Sequence, residues 1–354
     1  MRTIFSWSPS ASAPEKFPVE LKYCNVGFGD KGESFPVMDP YPVDGIGTSN
    51  ACGTYLNMFD MEIGSPIPNS LDILWVSYAE RKFYKANIEF PQEMTDRMLE
   101  LFREGYYNVE DDQYIRYNNF VVTLLPEGKI WFYLDGPGRW VRLDFAAQAE
   151  EIQMELSDFV KTRHKTMEDF CKGRLSDHPD AVAYLATNSI PKGLWEIYAE
   201  RFPYDIKIEF EDEQAVIDPD YGYYFSNGDM LGSMDSVKIS TYARPKSLHM
   251  VWFVGDTKYT GHFHFNEEDV INNFREAFGQ NHNPNIRGEF VIRVSKYNNW
   301  FDIILCIGEK EYRFDNEKRT QIHVFKVTPE NKDDDDHLFY WNYRGEEIIK
   351  FIGE

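Results

Sequence analysis

The sequence repeats itself in order, and a chain that writes one pattern twice is committed to building the same supersecondary unit twice. Pro68-Asn69-Ser70-Leu71-Asp72-Ile73-Leu74-Trp75 is answered by Pro245-Lys246-Ser247-Leu248-His249-Met250-Val251-Trp252. Each copy reads as a turn-opening proline, a strand, and then a second apolar strand, Lys85 to Phe90 in one half and Gly261 to Phe265 in the other. A short amphipathic helix follows both hairpins. Met94, Met98, Leu101 and Phe102 share one helical face, as do Val270, Ile271, Phe274 and Phe278. Pro91 suits the first turn of the first helix, and Asn266, with Asp269 three residues on, suits the cap of the second. Further on, Phe120 to Phe132 matches Phe290 to Phe301 as two strands around a turn, each ending in a Trp-Phe pair. Last strands are expected near Trp140 and Tyr312. At the front, Phe17-Pro18-Val19-Glu20-Leu21-Lys22-Tyr23 aligns with Phe202-Pro203-Tyr204-Asp205-Ile206-Lys207-Ile208.

The fold class that follows is α+β: two tandem modules, each a mainly antiparallel sheet with a helix on one face. The length of 354 residues exceeds the roughly 250 to 300 at which single cores stop growing, which agrees with two domains. The first module is expected over 1–145 and the second over 191–354. Between them, Ala146 to Lys172 is charged and has a period near 3.6, with Ile152, Leu156, Phe159 and Phe170 on one side. It reads as a connecting helix, and Gly173 to Lys192 reads as the linker.

Composition then narrows the function classes. With 42% hydrophobic and 16% aromatic residues, the chain has far too much apolar mass to remain disordered. Its formal charge of -22 repels phosphate backbones, so no nucleic-acid partner is expected, and it favours encounter with a basic partner. No apolar run is long enough for a transmembrane segment or a signal peptide, so the residues alone read as cytoplasmic. The four cysteines, Cys24, Cys52, Cys171 and Cys306, contain no CxxC pair, which argues against structural zinc. They read as core thiols, with Cys24 and Cys52 close enough in sequence to bridge in an oxidising compartment.

Each string that suggests chemistry has a plainer reading. Gly27-Phe28-Gly29-Asp30-Lys31-Gly32 spells a dinucleotide fingerprint, yet the prolines at 36, 40 and 42 forbid the helix on which the pyrophosphate would rest, leaving a glycine turn. Ser49, in Gly47-Thr48-Ser49-Asn50-Ala51, lacks the final glycine and the helix of a hydrolase elbow. His262 and His264 share one strand face beside His249, with no carboxylate or Cys to complete a metal set. Asp218, Asp220 and Asp229 do not follow the calcium-loop order. Asp72 and Glu80, flanked by Tyr78 and Tyr84, form a carboxylate pair that exposed strand positions explain as well as acid/base work does. No catalytic residue, metal or cofactor is therefore expected.

One segment has a family likeness. Leu71-Asp72-Ile73-Leu74-Trp75-Val76-Ser77-Tyr78-Ala79-Glu80-Arg81-Lys82-Phe83-Tyr84, ending in an apolar strand and Pro91, resembles the core signature of the domain of unknown function 2931 family. The Phe17-Pro18 strand opening and the glycine-rich stretch from Asn25 to Gly53 are similar to that family's as well. The likeness covers about Phe17 to Leu143; in the second half Trp252 is kept while the following segment has become Gly255 to Thr260. The resemblance implies a small bacterial envelope protein, periplasmic, often found beside type VI secretion lipase effectors. It implies no catalytic residues.

The function expected from this is that of an immunity protein, which occludes a secreted antibacterial effector with a basic contact surface. Its anchors are expected among aromatics with acidic neighbours. These are Tyr221, Tyr223, Tyr224, Phe225 and Asp229 in one loop-like stretch, and Asp333, Asp334, Asp335, Asp336, Phe339 and Tyr340 near the end. Two alternatives stand beside it: a ligand-binding protein or hydrolase using an inter-module cleft, and a structural envelope protein.

Overall fold

The computed structural model describes residues 2–48, 64–109, 112–232, 239–279, 286–314, 320–330, 339–342 and 351–354. The chain divides into two compact units. The first comprises Met1–Tyr106, Tyr114–Lys192 and Ile352–Glu354, and the second Tyr107–Gln113 and Gly193–Phe351. The division between the main parts therefore falls after Lys192.

In the first unit, β1 (Ser8–Ser12) is followed by β2 (Val19–Phe28) and β3 (Glu33–Pro36). Then come β4 (Pro68–Ser77), β5 (Lys82–Glu89) and α1 (Gln92–Glu104). The order β9-β5-β4-β2-β3 forms a five-stranded sheet, in which β9 is Glu150–Ile152. Beyond α1, β6 (Asn119–Leu125), β7 (Lys129–Gly136) and β8 (Arg139–Gln148) form an antiparallel run, and β1 lies parallel to β6. The amphipathic pattern places α1 as expected, with Met94, Met98, Leu101 and Phe102 buried, although Pro91 caps the helix rather than opening its first turn. Phe90, Phe120 and Phe132 stack in the core at ring separations of 5.2 to 5.8 Å.

The expected connecting helix is not formed. Arg139–Gln148 and Glu150–Ile152 are strands, because Ala146, Ala147 and Gln148 pair with Trp131, Ile130 and Lys129, while Glu150 to Ile152 pair with Lys85 to Phe83. Ladder hydrogen bonds to two existing strands outweigh the helix preference of Ala, Gln and Glu here. Helix begins only afterwards, in short pieces: α2 (Leu156–Phe159), α3 (Met167–Leu175) and α4 (Pro179–Thr187). Leu156, Phe159, Phe170 and Cys171 pack on Leu74, Val76, Tyr78 and Phe83, so α2 and α3 cover the outer face of the β4–β5 hairpin.

In the second unit α5 (Leu194–Ala199) precedes β10 (Tyr204–Phe210) and β11 (Ala215–Phe225). The hairpin β12 (Pro245–Val254) and β13 (Thr257–His264) follows, then α6 (Glu267–Phe278). The strands β14 (Gly288–Val294), β15 (Phe301–Ile307), β16 (Lys310–Arg313), β17 (Gln321–Val327) and β18 (Phe339–Asn342) complete the unit. Asn266 caps α6 by accepting from the Asp269 N–H at 3.1 Å, as the sequence predicts, while Ile271 is only half-buried. A buried cation anchors α5: the Arg244 guanidinium donates to the Ile197 carbonyl and to Glu200 (2.6 Å each) and lies over the Phe202 ring.

Strand partners correct one part of the repeat. β10, which holds Tyr204-Asp205-Ile206-Lys207-Ile208, runs parallel to β14, as β1 does to β6. β2, which holds Val19 to Tyr23, is instead antiparallel to β4, as β11 is to β12. The two Phe-Pro strings therefore sit on strands with different partners; alternating apolar residues make any two half-buried strands look alike.

Among the described residues no helix is long and apolar enough to cross a membrane. Cys24, Cys171 and Cys306 are free thiols, and burial pushes the Cys171 thiol up to about 12. Cys52 and Ser49 lie outside the described residues. The Gly27 to Gly32 string turns β2 into β3, with Gly29 and Gly32 at positive φ, which is a glycine turn and not a phosphate cradle.

Candidate functional site

The segment with the family likeness folds as the β4–β5 hairpin, whose turn, Tyr78 to Arg81, closes with Arg81 in the left-handed region at φ 57°. Trp75 and Tyr84 are cross-strand partners, buried, with rings 5.4 Å apart. The Tyr84 hydroxyl donates to Glu80 Oε1 at 2.9 Å. The Glu127 N–H donates to the same oxygen at 3.0 Å, and Glu127 itself sits at φ 65° in the turn between β6 and β7. Gln148 Nε2 then donates to the Glu127 carbonyl at 2.6 Å. One carboxylate thus ties two hairpin turns and the end of a third strand together. A glycine is needed beside it: Gly128 has φ +72°, and a Cβ there would lie 2.7 Å from the Tyr84 ring.

A second lock lies on the outer side of the same hairpin. Tyr78 Oη donates to Glu20 Oε2 at 2.8 Å, and Arg174 grips both Glu20 oxygens, Nε to Oε2 at 3.0 Å and Nη2 to Oε1 at 3.2 Å. Glu20 is 4% exposed. The Arg174 guanidinium also lies over the Phe170 and Tyr41 rings, 5.4 and 5.3 Å from their centres. Two-point contact between a guanidinium and a carboxylate fixes orientation as well as supplying energy, so α3 is held on the sheet in one register. Nothing in the sequence flags this pair, since 154 positions separate Arg174 from Glu20.

Apart from Glu80 Oε2, which is buried without a hydrogen-bond partner, these groups are donors and acceptors spent on holding the hairpin. Burial and the adjacent Glu80 carboxylate push the Tyr84 phenol far above its ordinary value, and burial with Glu20 does the same to Tyr78, so both keep their protons as hydrogen-bond donors. Asp72 and Glu80 are not brought together, because five strand residues, about 17 Å, separate Asp72 from the turn. An open depression of about 380 Å³ lies beside the first lock, lined by Glu80, Lys82, Tyr84, Gln148, Glu151 and Lys192 among others. Lys82 and Glu151 across it form an ion pair at 2.7 Å.

The aromatics expected to anchor a partner fall on β11. Tyr221 and Tyr223 pack ring to ring at 5.6 Å, and these two and Tyr224 are half-buried. Phe225 is 2% exposed and stacks on Tyr242, so it is core. Asp229 pairs with Arg201 at 2.7 Å and accepts from Asn227, which spends its charge inside the unit. Phe339 and Tyr340 form backbone pairs with Phe325 and Val324, and Asp333 to Asp336 lie outside the described residues.

Histidines gather on one face of the second unit. His249, His262 and His323 stand opposite one another across β12, β13 and β17, and His264 is two residues along. The His249 and His262 rings are 4.8 Å apart. Burial, with the neighbouring His249, His264 and His323, lowers the His262 imidazole to about 4. Alternation on one strand exposes this face in the sequence, but His323 joins it only through long-range pairing. Among the described residues no group of three or more His, Cys, Asp or Glu is placed to hold a metal ion.

Compared with known proteins, the chain matches one family model, Protein of unknown function (DUF2931), over residues 2–193. No curated protein and no solved structure matches it.

Proposed function

The chain belongs to the DUF2931 family, and from that membership we propose that it is an immunity protein, which binds a secreted antibacterial effector of the type VI secretion phospholipase kind and neutralises it by occlusion. What carries this reading is where the signature residues go. Trp75, Tyr78, Glu80 and Tyr84 are consumed in two internal locks, one across hairpin turns and one to a covering helix. That use suits a rigid scaffold whose work is done by its surface. The charge of -22 supports it too, since an acidic field raises the encounter rate with a basic partner and adds specificity. The site of action in this reading is the periplasm, where such effectors are delivered.

We also propose that the two units are copies of one module, with the stretch 146–190 serving as cover and linker. Cross-strand Trp–Tyr pairs support this: Trp75 with Tyr84 at 5.4 Å, and Trp252 with Tyr259 at 5.2 Å. Leu21 and Ile217 stand opposite those tryptophans on the neighbouring strands. The turns after β6 and β14 each carry a non-glycine residue at positive φ, Glu127 at 65° and Asn298 at 57°.

The test is co-expression with a type VI secretion phospholipase taken from the same genome. Survival of cells that otherwise lyse, with a one-to-one complex on gel filtration, is the expected outcome. Equal killing with and without this chain refutes the reading.

A further inference from the structure

Two aromatic side chains stand in solvent at one turn of the second unit. Tyr297 is 76% exposed, the most of any large apolar side chain among the described residues, and Trp300, three positions on, is 44% exposed. Both lie in the turn from β14 to β15, residues 295–300. The matching Trp-Phe pair of the first unit, Trp131-Phe132, sits within β7, where Trp131 is 4% exposed. In the second unit Phe301 keeps its buried place at the start of β15, but Trp300 falls one residue outside the strand and forgoes the burial that Trp131 obtains.

The turn is held from within. The Ser295 N–H donates to the Trp300 carbonyl at 2.9 Å, and the Asn298 N–H to the Ser295 carbonyl at 2.8 Å. Ser295 Oγ accepts from the N–H groups of Asn299 and Trp300, at 3.3 and 3.0 Å. Asn298, 3% exposed and at φ 57°, turns its side chain inward and accepts from Trp252 Nε1 at 2.8 Å. A fixed backbone that presents two aromatics loses little freedom on binding, and Tyr and Trp are enriched among the residues that dominate interface energies. Carboxylates border the turn. Glu211 accepts from the Lys296 N–H at 3.0 Å, and Asp212 and Glu213 follow it in the chain. Lys296 is exposed on the turn itself, while Arg293 and Arg313 nearby are spent on Glu209 and Asp302, at 3.0 and 3.5 Å.

We infer that the β14–β15 turn is the part of the chain that enters its protein partner, with Tyr297 and Trp300 filling a concave cleft whose rim carries Lys or Arg. This rests on the immunity reading and names the surface that does the occluding. Shape selects the occupant: a turn with Lys296, Tyr297, Asn299 and Trp300 all exposed stands proud of its sheet, and a cleft covers such a feature where a flat face does not. Charge selects the rim, because Glu211, Asp212 and Glu213 outnumber Lys296 and so attract a basic cleft and reject an acidic one.

The probe is a type VI secretion phospholipase taken from the same genome, titrated against the full chain by calorimetry. Tyr297→Ala combined with Trp300→Ala should weaken binding by about a hundredfold or more, as truncating two central aromatics does. Tyr114→Ala, at a position 55% exposed in the first unit, should leave it unchanged. A urea midpoint close to the parent's shows that the double variant is folded; should it not fold, Tyr297→Lys places a like charge against the basic rim and should bring the same loss. Glu213→Lys should slow association while leaving dissociation unaltered. Full affinity in the double variant, or an equal loss in Tyr114→Ala, overturns the inference and leaves the immunity role standing. A phospholipase that never binds the parent chain removes role and surface together, and unchanged association in Glu213→Lys removes the basic rim.

Discussion

Arg174→Met tests how the cover of the first unit is held. The substitution keeps the length of the side chain but strips the bidentate partner from Glu20, a carboxylate 4% exposed with Tyr78 as its other donor. Breaking a buried pair by removing one partner costs about 3–5 kcal/mol. The Arg174 side chain is 34% exposed, so water reaches the vacated site and the lower end, about 3 kcal/mol, is expected. For a unit of this size each kcal/mol shifts the midpoint by about 2–4 °C, which gives a drop of roughly 6–12 °C. The companion variant removes the whole network, Glu20→Val with Tyr78→Phe and Arg174→Met. An apolar replacement of a complete buried pair is often neutral, so the triple variant should return to within about 1 kcal/mol of the parent. Urea unfolding followed by tryptophan fluorescence reads both. A loss below about 1 kcal/mol in Arg174→Met, or a triple variant no better than the single one, refutes the argument.

Other perturbations follow from the same geometry. Glu80→Ala releases the Tyr84 hydroxyl and the Glu127 N–H together and should cost about 2–3 kcal/mol in thermal unfolding. Gly128→Ala combines positive φ with a clash against the Tyr84 ring and should destabilise by about 2 kcal/mol or more, seen as a lower urea midpoint. His262, held near 4 in the fold, stays neutral while the unfolded chain takes up a proton below about 6.5. The second unit should therefore lose stability as pH falls from 6.5 to 4 and lose no more from this group below that; His262→Gln should flatten the slope, measured by denaturant midpoints at pH 7 and pH 4.5.

Local periodicity was enough to place the amphipathic helices and the hairpin strands. Met94, Met98, Leu101 and Phe102 bury one face of α1, Asn266 caps α6, and the Leu71 to Trp75 and Leu248 to Trp252 strings are strands. Those features depend on neighbours within a few residues, and so does the signature that marks the family. The tertiary structure decided everything that depends on partners distant in sequence. Ala146 to Ile152 became strand because two ladders were waiting for it, although its composition favours helix. Glu20 acquired its role from an arginine on α3, and His323 joined the histidine face by strand pairing. The same alternating pattern yields a buried Glu20, held beneath α3 by Arg174, and an exposed Val216 at the end of its ladder, because a strand's own residues do not say what lies across from them.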